Sequence, residues 1–115
     1  MVKRNLVGAH YGLKDWLAQR ITAVIMASYT LIMALALLSG AGGSFERWRA
    51  LMSAGPMRLA TFVFIVSLCW HAWVGVRDIW MDYVKPTGLR LALHVLTLIA
   101  LIGYAGWAMQ ILWRL

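Results

Sequence analysis

One short run of this chain, HAWVGVRDIWMDYV from His71 to Val84, holds residues whose types and spacing could do chemistry. His71 lies six residues before Arg77, about 9 Å of helix rise inside the charged boundary of an otherwise apolar stretch. An ionisable ring at that depth in hydrocarbon is costly unless something binds it, which marks it as a candidate functional residue. Imidazole is a standard axial ligand of heme iron. Its plainer employment is a hydrogen bond between helices. Asp82 and Tyr83 follow where the same helix should leave the lipid. A tyrosine hydroxyl there can donate to a carbonyl oxygen of a lipid-soluble ligand, and the adjacent carboxylate can orient that hydroxyl or supply protons. The plainer reading of Tyr83 is a member of an interfacial aromatic belt.

Ser67, His71, Gly75, Asp78 and Asp82 recur at spacings of four, four, three and four, so they share one helix face. That polar or small stripe should face protein, since the other faces are apolar. Gly75, one turn from His71, would let a flat macrocycle lie against the backbone. Arg20 opens the first apolar run and is either a topological anchor or a partner for heme propionates, carboxylates that a guanidinium binds well. His94 lies at a depth similar to that of His71 on the next segment, so a second intrachain ligand is open by depth alone; its plainer role is packing between helices. His10, in the polar lead, reads as solvated. Ala23, Ala27, Thr30 and Ala34 form a small-residue stripe that reads as a packing face. The single cysteine, Cys69, sits in an apolar run, which excludes an intrachain disulfide and a cysteine-based metal site. There is no nucleotide-binding loop, no HExxH, no Ser-His-Asp grouping and no internal repeat.

The elements that must position these residues are three apolar runs of about 20 residues: 21–39, 57–76 and 91–113. Each is long enough to cross a ~30 Å hydrocarbon core as a helix. Ser39–Ser44, Gly55-Pro56 and Lys85–Gly88 punctuate them, and the connection from Gly40 to Gly55 has room for a short interfacial helix. The first run is longer than a signal-peptide core and follows a long lead, so it reads as a retained span. The chain is 63% hydrophobic with seven Trp among 115 residues, too apolar for an ordinary soluble domain of this size. Its net charge of +7 forms no continuous stripe but sits at the ends of apolar runs, which argues against nucleic acid. Seven Lys and Arg fall on the side of the N-terminus and second connection (Lys3, Arg4, Lys14, Arg20, Arg77, Lys85, Arg90). Four fall on the other side (Arg47, Arg49, Arg58, Arg114). The positive-inside rule therefore places the N-terminus in the cytoplasm and the C-terminus outside.

The pattern His71, Gly75, Asp82-Tyr83, with HAWVG, DYVKP and LRL (Leu89–Leu91) in order and LKDWLAQRITA near the N-terminus, resembles the hydrophobic membrane anchors of bacterial succinate dehydrogenase, the small cytochrome b component of respiratory complex II. The likeness covers most of the chain; the central block is specific and the flanking spans are only generically hydrophobic. The resemblance implies an all-α membrane protein, a single anchor domain over 1–115, which joins a second anchor subunit in a six-helix bundle in the bacterial cytoplasmic membrane. It implies one heme b between the two anchors, with His71 as this chain's axial ligand. It makes Tyr83 the residue that hydrogen-bonds ubiquinone, with Asp82 beside it, and puts Arg20 near the heme and quinone. It assigns no ligand role to His94. Succinate oxidation would occur on a flavoprotein subunit carrying FAD, and an iron–sulfur subunit would relay electrons, so no catalytic residue is expected here. Two alternatives stand beside it. One is a fumarate reductase-type anchor, often without heme, against which the His71 and Asp-Tyr spacing argues. The other is a cofactor-free membrane assembly or scaffold protein.

Overall fold

A peptide group in lipid has no water to bond, so the chain must satisfy its backbone within each segment, and long helices do this. The computed structural model describes the backbone from Arg4 to Leu115 and side chains from Gly12 onward; the side chain of His10 therefore lies outside the described residues. Helix α1 runs Arg4–Ala36, α2 Phe45–Ser53, α3 Gly55–Tyr83 and α4 Thr87–Arg114. Helices α1, α3 and α4 are long and apolar enough to cross a membrane, and no strand occurs among the described residues. The all-helical, three-span architecture expected from the sequence is the one observed.

The helices outrun the apolar runs at their polar ends. No proline interrupts the lead, so α1 continues through it into the first span. Helix α3 carries on past Arg77 until the Lys85-Pro86 connection stops it. After α1 the chain makes a wide turn, Leu37–Ala41, where Gly40 adopts φ 108°, ψ 4°, a geometry that favours a residue without Cβ. Ser44 then caps α2, its hydroxyl accepting from the Arg47 amide at 3.1 Å, with Glu46 in the first turn. Pro56 stands in the first turn of α3, where its missing N–H costs nothing.

Helix α3 occupies the middle, with α1 against one side and α4 against the other, and among the described residues α1 and α4 do not pack on each other. The result is a layer rather than a closed bundle, 61 × 29 × 20 Å in extent. Helix α2 closes one end of it. Met52, Met57 and Leu112 are buried there, with Tyr29, Trp48 and Met109 around them. In the α1–α3 seam Tyr29 stacks on Phe64 with centroids 4.5 Å apart, and its hydroxyl lies 2.7 Å from Thr61 Oγ1. In the α3–α4 seam the Trp80 indole N–H donates to Thr97 Oγ1 at 2.9 Å. The small-residue stripe of Ala23, Ala27, Thr30 and Ala34 is exposed in this chain. Helix α1 turns Thr22 and Tyr29 to α3 instead, and their hydroxyls meet polar partners across the seam.

Candidate functional site

At the end of the layer away from α2, α1 and α3 bring together residues 49 to 62 positions apart in sequence. Arg77 forms an ion pair with Asp15 and lies 3.6 Å from Asp78 Oδ1. A cavity of about 340 Å³ opens beside this pair, lined by Gly12, Asp15, Trp16, Gln19, Arg20, Val74 and Asp78. The Arg20 guanidinium stands 5.2 Å from the centroid of the Trp16 ring, a cation–π geometry that keeps its charge at the cavity wall. Val74 is 2% exposed and forms the cavity floor between the helices.

One turn deeper lies His71. Its Nδ1 is 2.9 Å from Oγ1 of Thr22, and Thr22 is 2% exposed. The Thr22 hydroxyl also lies 2.6 Å from the Ala18 carbonyl and 3.3 Å from that of Gln19. His71 Nε2 has no hydrogen-bond partner among the described residues. It is also absent from the buried polar atoms that lack one, namely Gln19 Oε1, Arg58 Nε, Arg77 Nε and His94 Nε2. One ring nitrogen is therefore engaged inside the seam and the other opens onto the surface of this chain. That division suits an axial ligand, which needs one nitrogen fixed and the other presenting a lone pair.

The expected polar face of α3 is partly turned to α1. Ser67 is buried and His71 is half-buried, whereas Asp78, which borders the cavity, and Asp82 are exposed. A Cβ built on Gly75 would lie 3.9 Å from Gln19 Nε2, so this glycine shares its surface with a side chain of α1. Tyr83 ends α3 and is 79% exposed in this chain. His94 packs its ring edge-on to Trp73, centroids 5.7 Å apart at 74°, in the α3–α4 seam. The two intramembrane histidines thus occupy different seams of the layer. Sequence reasoning misses Thr22 and sees in Asp15 and Arg77 only flanking charges. Opposite charges near the same end of antiparallel spans are the one signal that could pair Asp15 with Arg77.

These features define an integral, multi-pass membrane protein with a polar, histidine-bearing seam near one membrane face. Over residues 2–106 the chain matches the family described as succinate dehydrogenase/fumarate reductase transmembrane subunit, and it belongs to that family. It is 41% identical over 102 residues, 89% of each chain, to the succinate dehydrogenase hydrophobic membrane anchor subunit of Coxiella burnetii.

Proposed function

We propose that this membrane anchor serves a succinate:quinone oxidoreductase of a bacterial cytoplasmic membrane, where it supplies one axial ligand to a heme b and one wall of a ubiquinone pocket. The observation that supports this most is the His71 ring, held through Nδ1 within the seam while Nε2 is open at the surface of the chain. Nε2 would bind the iron, and Arg20, at the cavity wall, would hold a propionate. Gly75 would keep the nearby surface low. When bound, the heme would supply a one-electron redox centre. The Tyr83 hydroxyl donates a hydrogen bond to a quinone carbonyl oxygen, and the Asp82 carboxylate orients that hydroxyl or holds the proton the reduced quinone needs.

The layered fold favours a second anchor subunit. Three helices with α3 in the middle leave both broad faces uncovered, and the exposed Ala23, Ala27, Thr30 and Ala34 stripe permits close approach of another helix. That partner would contribute the second axial ligand. An iron–sulfur subunit would dock at the Tyr83 end and bring electrons from a flavoprotein subunit, whose FAD oxidises succinate to fumarate. The family spans succinate- and fumarate-directed complexes; a held, open imidazole favours a heme-bearing member.

The test is the visible spectrum of the purified complex. A reduced-minus-oxidised b-type signal is expected in the wild type, lost or reshaped in His71→Ala. A signal unaltered by that substitution removes His71 from the ligand role.

A further inference from the structure

We propose that Thr22 is a positioning residue that fixes the tautomer and orientation of His71, so that Nε2 carries the lone pair. The inference rests on the heme reading above and deepens it. An O···O separation of 2.6 Å between Thr22 Oγ1 and the Ala18 carbonyl is tolerable only with a proton between them, since two lone pairs would otherwise face each other. The hydroxyl has one proton, and Ala18, with Gln19 as a longer second acceptor, takes it. Thr22 can then only accept from His71, so Nδ1 carries the hydrogen and Nε2 is bare.

The same arrangement occurs where no tautomer is in doubt. Thr97 donates to the Leu93 carbonyl at 2.7 Å while accepting from Trp80 at 2.9 Å, and an indole nitrogen can only donate. The His71–Thr22 distance is the same 2.9 Å. A donor bond from the far ring nitrogen fixes the orientation of a ligating imidazole and raises its basicity. A stronger imidazole donor favours the ferric state and lowers the midpoint potential.

The experiment uses the purified complex with Thr22→Val, which keeps the buried volume and removes the hydroxyl. Thr22→Ser keeps the hydroxyl, and Thr97→Val removes an equivalent interhelical bond remote from His71. Three quantities are read: heme midpoint potential, the low-spin ferric electron paramagnetic resonance signal, and heme retention against excess apomyoglobin. Thr22→Val is expected to raise the potential, shift the ferric signal and weaken retention by roughly 10- to 100-fold. Thr22→Ser should stay near wild type and Thr97→Val should leave potential and signal in place. Should Thr22→Val match wild type in all three while His71→Ala abolishes the signal, the positioning role is wrong and the heme reading stands. Equal shifts in Thr97→Val would reduce Thr22 to a packing residue. A wild-type complex without b-type heme overturns both.

Discussion

At the scale of single residues, Tyr83 and His71 call for different kinds of argument. His71 is built into a seam, so its substitution disturbs packing as well as any ligand. Tyr83 is 79% exposed, and among the described residues its hydroxyl bonds to nothing. Removing that oxygen should leave the fold of this chain intact, and any loss can be read as function. Tyr83→Phe is expected to slow succinate–quinone reductase activity by roughly 2- to 10-fold, the kinetic equivalent of one ordinary hydrogen bond of about 0.5–1.5 kcal/mol. Succinate oxidation with a soluble artificial acceptor should be retained, because that route bypasses the quinone. Parallel loss in the two assays would point to failed assembly, and a wild-type rate in both would take the tyrosine out of the quinone pocket.

At the scale of helices, the decisive fact is that rotation and register cannot be read from an apolar span. The ends of α1, α2 and α3 are legible because Gly40, Ser44, Pro56 and Pro86 act locally, and His71 is legible because an imidazole in lipid demands a partner. Thr22 is not. A threonine in a span can always bond the carbonyl four residues back, and only the rotation of α1 about its axis decides whether the hydroxyl also meets α3. With apolar side chains on every face, no amphipathic stripe fixes that rotation. The small-residue stripe reads as a packing face in the sequence, yet it is exposed here for the same reason. Arg77 and Asp15 likewise meet only through the antiparallel placing of α1 and α3. Their side chains are 25% and 42% exposed, so water screens the attraction. The pair should therefore act as a surface bridge that sets register, not as a buried one. A double-mutant cycle of Asp15→Asn and Arg77→Gln, followed by thermal denaturation of the purified complex, is expected to return a coupling of about 1 kcal/mol or less. A coupling of about 3–5 kcal/mol would mean that the assembled complex buries the pair.

At the scale of the whole molecule, the proposed function depends on which end of the layer faces the cytoplasm, because in that reading the soluble subunits dock at the end that carries Tyr83. The fold groups the charges by end. Lys14 and Arg20 of α1, the last turns of α3, the connection at 84–86 and the start of α4 lie at the same end; α2, with Arg47 and Arg49, lies opposite with Arg58 and Arg114. Arg77 is paired with Asp15, but acidic residues contribute little to the positive-inside preference, so the seven-to-four margin stands. The expected outcome can be checked by labelling single cysteines in a Cys69→Ser background with a membrane-impermeant maleimide. In intact spheroplasts Ser44→Cys, in the exposed turn before α2, should react at once. Thr87→Cys, at the start of α4, should react only after the membrane is opened and the complex denatured. The reverse pattern would put Tyr83 on the outer face, where electrons from a cytoplasmic succinate-oxidising subunit would have to cross the bilayer before reaching quinone, and the proposed division of labour would fail on geometry alone.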